Sequence, residues 1–212
     1  MYQSLQSIGL KSYLDKYFFS REYLQECWLT KIDIFVGNLS DVQKLVLRQK
    51  FKPNITHLSA NDLVHEIMIA CAFYPQAFFN PSSGADLMDN GHPIEVKTIN
   101  ASLAEIERIL NLQPDSRRMQ IKDDNSTSRN NAFKKVFRRK FNSRFKKAAE
   151  QVNHSGIVYM VWDSDFVPGW ENRKWEIGTM LKGLAEKRKH TEPKVDIKTI
   201  YFEDLRVAVA KK

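Results

Sequence analysis

The sequence has little cysteine and no long run of apolar residues. Its two cysteines, Cys27 and Cys71, lie far apart and outside any CxxC or Cys/His spacing. This argues against a disulfide framework and against a zinc site, and it predicts two buried thiols. No stretch approaches the roughly 18 apolar residues that a membrane span requires, and the first residues lack the basic-then-apolar order of a signal peptide. We therefore expect a soluble, cytoplasmic protein.

The chain also lacks internal repeats and low-complexity linkers, and its 212 residues suit one domain. Hydrophobic residues make up 42% of the sequence, which is enough for a buried core, and charged residues make up 27%, which is not a disordered composition. The 33 Lys and Arg residues exceed the 25 Asp and Glu residues, so the net charge is +8. This excess favours polyanionic partners, either nucleic acid or an anionic membrane surface.

The apolar periodicity predicts a helical extension over residues 1–57, packed on an α/β core over residues 58–212. Asn90-Gly91 predicts a hairpin between two of the core strands, because both residues accept the positive φ of a type I′ turn. The predicted core contains, in order, a helix ending before Pro75, a short apolar run at 77–79, strands at 85–89 and 92–99, a short helix at 102–110, a polar loop at 111–131, a helix at 132–152, a buried strand at 156–162, a helix at 174–189 and a strand at 197–202. This order is typical of an α/β sandwich.

The predicted hairpin places two carboxylates opposite one another. With Asn90-Gly91 as the turn, Asp86 faces Glu95 as a non-hydrogen-bonded pair, in which Cβ atoms lie about 4.5–5.5 Å apart. Lys97 shares the face of Glu95 because side chains alternate along a strand. Facing like charges are unfavourable, and a shared divalent cation of Mg²⁺ type relieves them, since the available ligands are oxygens rather than thiolates.

The same alternation sends Ile94 and Val96 to the opposite face, into a core. Glu66, one helix upstream of the hairpin, is a candidate third carboxylate for the same end of the hairpin. In the competing interpretation the hairpin faces solvent with mixed charges, and Lys97 only pairs with Glu95.

These residues resemble the signature of the PD-(D/E)xK nuclease superfamily of restriction-endonuclease-like enzymes. The acidic residue that the family carries on one strand matches Asp86, and its Glu-x-Lys on the following strand matches Glu95-Val96-Lys97. The helical Glu that many members place before the hairpin is similar in position to Glu66. The resemblance covers roughly residues 59–162.

The resemblance implies a fold and an activity. It implies a restriction-endonuclease-like αβββαβ core, with a mixed central sheet flanked by helices. The predicted N-terminal helical extension lies outside the matched region. The family's proline before the Asp is absent, since Gly84-Ala85 precede Asp86. The implied activity is a Mg²⁺-dependent DNA endonuclease, such as a type II restriction enzyme or a related defence or mobile-element nuclease, in which Mn²⁺ can substitute.

The resemblance also implies residue roles. Asp86, Glu95 and the backbone carbonyl of Val96 would hold the metal, and Glu66 would complete the coordination or hold a second metal's water. Lys97 would orient the attacking water or help to deprotonate it, and would offset phosphate charge.

A basic segment in the second half of the chain is the other functional candidate. The nine charged residues from Arg129 to Lys147 include no acid, and phenylalanines recur at every fourth position from Phe133 to Phe145. This spacing predicts one buried helical stripe, with cations covering the rest of the helix. The candidates for contact with the DNA backbone are Lys134, Lys135, Arg138, Arg139 and Arg144. For each of them a solvated helix face is the alternative.

Other interpretations remain open from sequence alone. His65 and His92 could lie near the site, although surface or packing roles are favoured for both. The competing function is a non-catalytic nucleic-acid-binding protein that keeps the fold. Attachment to a membrane through the basic helix is disfavoured because its apolar stripe suits a neighbouring sheet. The expected partner is DNA, and paired cuts in duplex DNA would suggest a homodimer.

Overall fold

The computed structural model describes residues 2–11, 25–51, 57–81, 84–100, 127–163 and 174–212. The described helices are α1 Gln3–Ser7, α2 Gln25–Asn38, α3 Asp41–Lys50, α4 His57–Phe73, α5 Thr127–Gln151, α6 Lys174–Thr191 and α7 Phe202–Ala210. The described strands are β1 Phe78–Phe79, β2 Leu87–Asp89, β3 His92–Asn100, β4 Gly156–Asp163 and β5 Val195–Tyr201. None of the described helices is long and apolar enough to cross a membrane.

The described strands form one open mixed sheet in the order β1-β2-β3-β4-β5. β1, β2 and β3 are antiparallel neighbours, whereas β3, β4 and β5 are parallel. The predicted α/β class, with a mixed sheet flanked by helices, is therefore confirmed. The prediction of a buried central strand is also confirmed, because β4 lies between β3 and β5 with its side chains from Val158 to Trp162 buried.

The β2–β3 hairpin forms at the predicted turn. Asn90 has φ 48° and Gly91 has φ 81°, the left-handed values that a type I′ turn requires. The ladder pairs Asp89 with His92 and Leu87 with Ile94, in the predicted register.

Helices cover both faces of the sheet. On one face, α5 packs on β3 and β4, and α6 packs on β5. The buried residues of α5 are Val136, Phe137, Phe141, Phe145, Ala148 and Ala149. This confirms the predicted apolar stripe from Phe137 onward, while Phe133 lies outside the described side chains. Each buried phenylalanine contributes about 1.5–3 kcal/mol of burial free energy, so the stripe fixes α5 against the sheet.

The N-terminal helices share the core on the other face. Leu5 of α1, Trp28 of α2 and Leu47 of α3 are buried in the same cluster as Ile67 of α4 and Ile94 of β3. Helix α3 begins at a side-chain cap, in which the Gln43 amide donates to the Ser40 hydroxyl at 3.3 Å. The boundary at residue 57 stays a prediction.

Several predicted boundaries are wrong. Helix α5 begins at Thr127, so residues 127–131 are helical rather than part of a loop, and the predicted segments at 102–110 and 111–126 lie outside the described residues. Strand β5 ends at Tyr201 because Phe202 opens helix α7, which periodicity did not indicate. Two acidic residues in the first turn of α7 favour this start, since they complement the helix dipole. Cys71 is buried as predicted, but Cys27 is exposed.

Candidate active site

The β2–β3 ladder ends sooner than the sequence predicts, and the candidate site lies at this end. Strand β2 spans Leu87–Asp89, and Asp86 is not a ladder partner of Glu95. The two residues are linked instead through their carboxylates. The Asp86 N–H donates to Glu95 Oε2 at 3.0 Å, and the Val96 N–H donates to Asp86 Oδ2 at 3.1 Å. The carboxylates thus accept the hydrogen bonds that these amides would have donated to backbone carbonyls in a longer ladder.

Lys97 joins the two carboxylates. Its ammonium forms an ion pair with Glu95 Oε1 and lies 3.7 Å from Asp86 Oδ2. The Glu95 side chain is fully buried, and that of Lys97 is only 12% exposed. Ile94 and Val96 are buried in the core on the opposite face, as the alternation predicts. The solvent-facing hairpin of the competing interpretation therefore does not describe this end of β3.

Glu66 reaches the site from α4, and it brings a residue that the sequence did not indicate. Lys50, the last residue of α3, donates to Glu66 Oε2 at 2.9 Å and lies 3.9 Å from Asp86 Oδ1. Lys50 therefore bridges Glu66 to Asp86. No local spacing connects it to either carboxylate, because only the tertiary packing of α3 brings them together.

Burial and mutual repulsion dominate the electrostatics of the carboxyl groups. Burial raises the pKa of Glu66 and that of Glu95, the Asp86 carboxylate raises both further, and the lysine partners oppose the shift. For Lys50 and Lys97, burial alone would lower the pKa, but the neighbouring carboxylates outweigh it and raise the pKa. Both lysines are therefore cationic at neutral pH, and the carboxylates have a standing preference for a nearby cation.

The donor chemistry of the site fits a hard divalent metal ion. Asp86, Glu95 and Glu66 offer only oxygen ligands, which Mg²⁺ prefers. The N–H and C=O of one strand residue point to the same edge, so the Val96 carbonyl faces the gap in which Asp86 accepts the Val96 amide. Within the described parts of the chain, no three His, Cys, Asp or Glu side chains are already arranged as a metal-binding group. The two lysines hold carboxylate oxygens that a metal would take.

A cleft of about 530 Å³ gives access to the site from the side of α3 and α4. Lys50, Glu66 and Asp86 line it together with polar Gln49 and Ser59. Its apolar lining is Val46, Leu63 and Pro81. The cleft is large enough for a phosphate and its attached sugar, and it brings such a group to two of the three carboxylates.

A second carboxylate caps β3 one step further along the strand. The Thr98 N–H donates to Asp62 Oδ1 at 2.9 Å, and Asp62 Oδ2 pairs with Arg144 of α5 at 3.4 Å. Burial raises the pKa of Asp62, and its bonds to Thr98 and Arg144 oppose that rise. Arg144 therefore ties the basic helix to the strand that carries Glu95 and Lys97.

The other predicted DNA-binding residues fall into two groups. Lys135, Arg138 and Arg139 are exposed on α5. Lys134 is partly buried and pairs with Glu176 of α6 at 3.0 Å. The exposed group forms a basic face along α5. Lys134 and Arg144 pair with Glu176 and Asp62.

The two histidines have no direct place among the site carboxylates. His92 is exposed beside the turn. His65 is buried, its Nδ1 lies 2.8 Å from the Thr98 hydroxyl, and its ring packs on Phe202. Burial lowers the pKa of His65 to about 3, so this ring is neutral in the folded protein. It acts in packing, as the favoured interpretation of the sequence holds.

Comparisons of the chain with protein-family models, with curated proteins and with solved structures each found no match. The resemblance to the PD-(D/E)xK superfamily therefore rests on Glu66, Asp86 and the triplet at 95–97, and the comparisons assign no family.

Proposed function

We propose that the protein is a Mg²⁺-dependent DNA endonuclease that hydrolyses phosphodiester bonds. One observation carries the proposal: Asp86 and Glu95 are bonded to each other's strand segments where the ladder ends, and Lys97 contacts both carboxylates. A purely structural ion pair needs one acid for each base. Here three carboxylates, counting Glu66, meet two lysines in a partly buried site that opens to a cleft.

The order of elements supports the restriction-endonuclease-like core that the resemblance implies. From α4 to β4 the described elements run helix, three strands, helix, strand, with β3 and β4 parallel. The active-site strand β3 is thus held between a hairpin partner and the buried central strand. This places Glu95 and Lys97 on a rigid element, as precise catalysis requires.

The chemistry follows from the groups on β3 and α4. Mg²⁺, or Mn²⁺ in its place, would be held by Asp86, Glu95, the Val96 carbonyl and Glu66, and it would lower the pKa of a bound water and polarise a phosphoryl oxygen. Lys97, kept cationic by its carboxylate neighbours, donates hydrogen bonds that orient the water and offset charge on the phosphate. Lys50 holds Glu66 in place and adds a second cation at the cleft.

The basic face of α5 supports DNA as the substrate. Lys135, Arg138 and Arg139 are exposed there, and Arg144 links the same helix to β3 through Asp62. Lys and Arg side chains supply affinity for phosphates with little sequence information. A type II restriction enzyme, or a related defence or mobile-element nuclease, is the setting that we propose. A homodimer and a cytoplasmic location belong to the same proposal.

Cleavage of a defined plasmid tests the proposed function. We expect Mg²⁺ or Mn²⁺ to support cleavage of supercoiled DNA, EDTA to abolish it, and mapped discrete ends to show sequence specificity. Lys97→Ala should lower the rate by about 10²–10³-fold, which is the usual cost of removing one transition-state donor. Lys198→Ala is the matched control, because Lys198 pairs with Asp196 on β5, away from the site.

The same experiment distinguishes the nuclease from the competing function, a non-catalytic nucleic-acid-binding protein. One observation favours that competing function. Both lysines already neutralise site carboxylates, as they would in a non-catalytic protein that only binds nucleic acid. That function would give DNA binding in a mobility-shift assay without cleavage, and Lys97→Ala would have no Mg²⁺-dependent activity to remove. Intact DNA in every metal, with no metal binding by calorimetry, would refute the nuclease.

A further inference from the structure

A second cleft, of about 350 Å³, lies where β4 and β5 end beside the first turns of α6. Buried aromatic rings form its floor: the centroids of Trp162 and Tyr201 are 4.5 Å apart with their planes tilted by 37°. Gly178 of α6 permits this packing, because a Cβ at that position would lie 3.2 Å from the Trp162 ring. The carboxyl ends of parallel strands are a common place for ligands in α/β proteins.

One wall of the cleft carries an exposed aromatic ring between two cations. Trp175 is 67% exposed, although α6 buries Ile177 and Leu181 against the sheet. Lys174 precedes it, with Nζ 5.4 Å from the centroid of the Tyr201 ring. Lys182 lines the same cleft two helical turns later. An exposed indole beside ammonium groups is the combination that stacks a base and holds its phosphate.

The opposite wall adds an acceptor. Asp204, in the first turn of α7, lines the cleft and is exposed. Its carboxylate can accept a hydrogen bond from a base N–H, and the two lysines leave the cleft with a net positive charge. A volume of 350 Å³ is within the usual range for a small-ligand site.

The start of α6, which lines the cleft, lies beside the basic helix α5. Glu176, next to Trp175, pairs with Lys134 of α5 at 3.0 Å, so the start of α6 is fastened beside the basic helix. Lys135 and Arg138 are exposed one and four positions after Lys134 on α5. A polyanionic strand bound along α5 would meet no acidic residue of that helix between Arg129 and Lys147, and Lys134 neutralises Glu176 at the start of α6.

We propose that this cleft binds an unpaired nucleotide of a nucleic-acid strand, with the base stacked on Trp175 and the phosphate held by Lys174 and Lys182. The base is unpaired because stacking on an indole needs a free ring face, which a duplex hides. The inference deepens the proposed function and rests on it for the choice of a nucleic acid, because the cleft lies beside the basic helix that we propose binds DNA.

Binding in the absence of cleavage tests the inference. The probe is single-stranded oligothymidylate of about ten nucleotides, added in EDTA to full-length Lys97→Ala protein and followed by tryptophan fluorescence and by anisotropy of a labelled oligomer. We expect quenching on binding. Trp175→Leu should remove the Trp175-dependent quench and weaken binding about tenfold, and Trp175→Phe should restore most of the affinity.

Matched variants separate stacking from a general loss of exposed groups. Phe78→Leu removes an aromatic ring of similar exposure, 64%, from β1 at the far edge of the sheet, and should leave affinity unchanged. Lys182→Gln should lower the salt dependence of binding by about one ion, whereas Lys187→Gln, an exposed position on α6 outside the cleft, should not. An unchanged unfolding temperature for Trp175→Leu shows that the variant is folded.

Several results would overturn the inference. Unchanged oligothymidylate affinity in Trp175→Leu excludes the stacking site, and equal Trp175-dependent affinity for a duplex of the same length excludes an unpaired base. Trp175-dependent quenching by thymidine monophosphate supports a one-nucleotide site, and its absence at millimolar concentration contradicts one. Trp175-dependent binding without cleavage by the wild-type protein would reject the nuclease and keep the cleft, while cleavage with no role for Trp175 would do the reverse.

Discussion

Along the edge that faces β2, the amide groups in the two halves of β3 have different hydrogen-bond acceptors. From His92 to Ile94 the strand pairs with the backbone of β2. Further along, the amides of Val96 and Thr98 donate to the carboxylates of Asp86 and Asp62. A ladder that ends early leaves buried donors that must be satisfied, and here acidic side chains satisfy them. The strand thereby fixes two carboxylates in position without needing a metal.

The two carboxylates that cap β3 nevertheless have different surroundings. Asp86 lies 3.7 Å from the ammonium of Lys97 and 3.9 Å from that of Lys50, and its own amide donates to Glu95. Asp62 forms an ion pair with Arg144 at 3.4 Å, and its charge also interacts favourably with Lys97. Both carboxylates therefore accept a hydrogen bond from a β3 amide. Asp86 also belongs to the candidate active site, whereas Asp62 also links α5 to β3 through Arg144.

Replacing each capping carboxylate by its amide should give the largest difference. Asp86→Asn keeps an oxygen for the Val96 amide but removes a charge from the proposed metal site, so we expect cleavage to fall by about 10³-fold or more. Asp62→Asn keeps the bond to Thr98 and loses the charge that faces Arg144 and interacts with Lys97. Its effect should stay within about tenfold, since Asp62 acts on Arg144 and Lys97 and is not itself a proposed metal ligand. Single-turnover rates at saturating Mg²⁺ measure both.

Equal losses of cleavage rate in Asp86→Asn and Asp62→Asn would mean that the two capping carboxylates do not differ in function. Thermal unfolding of both variants is the control for folding. A large loss for Asp62→Asn with normal stability would move Asp62 and Arg144 into the catalytic group.

His65, on the side-chain hydroxyl of Thr98, gives the prediction of intermediate size. The free energy of unfolding should depend on pH because of this residue. His65, which contacts the Thr98 hydroxyl, has its pKa lowered by burial to about 3 in the folded state, against about 6.5 when unfolded. As the pH falls below about 6.5, His65 binds a proton in the unfolded chain but not in the folded chain. Stability is therefore lost on acidification, by about 2 kcal/mol between pH 7 and pH 5.

Comparison with His65→Gln isolates this contribution, because all other titrating groups are shared. The unfolding free energy of wild type minus that of the variant, from urea titrations at pH 7 and pH 5, should shrink by about 2 kcal/mol on acidification. A difference that does not change with pH would mean that His65 titrates normally and is not enclosed with Thr98.

The sequence predicts the paired half of β3 better than the open half. Asn90-Gly91 determines the register of the hairpin, and apolar alternation determines that Ile94 and Val96 face the core. Both signals are local, and both are confirmed. The nearness of Asp86 to Glu95 follows from the same turn, although the end of the ladder does not, because strand length depends on what competes for each amide.

Glu66 was predicted from its position before the hairpin, but two other residues from elsewhere in the chain were not. Asp62 reaches Thr98 from α4, and Lys50 reaches Glu66 from the end of α3. Both contacts depend on how helices pack on the sheet, for which a single sequence carries no periodic signal. The N-terminal helices showed only apolar spacing, and that pattern indicates a core rather than a contribution to a polar site.

Lys50 gives the smallest expected effect and the most specific one. Lys50→Met keeps the apolar stem and removes the cation that holds Glu66 and approaches Asp86. Loss of this charge should lower the maximal cleavage rate about tenfold, or about 1.4 kcal/mol, because the site loses one of its two cations. The Mg²⁺ concentration for half-maximal rate should fall at the same time, since the carboxylates lose a competitor for the metal.

This opposite change in rate and in metal requirement distinguishes a site residue from a merely structural one. Lys44→Met on the same helix is the control, because the Lys44 ammonium donates to the Gly37 carbonyl and does not reach the carboxylates. If Lys50 had only a structural role, Lys50→Met would lower the cleavage rate and raise the Mg²⁺ concentration for half-maximal rate. Its unfolding temperature would also fall. A lower rate combined with tighter metal use would show that the N-terminal helices supply part of the site at the open half of β3, which the paired half lacks.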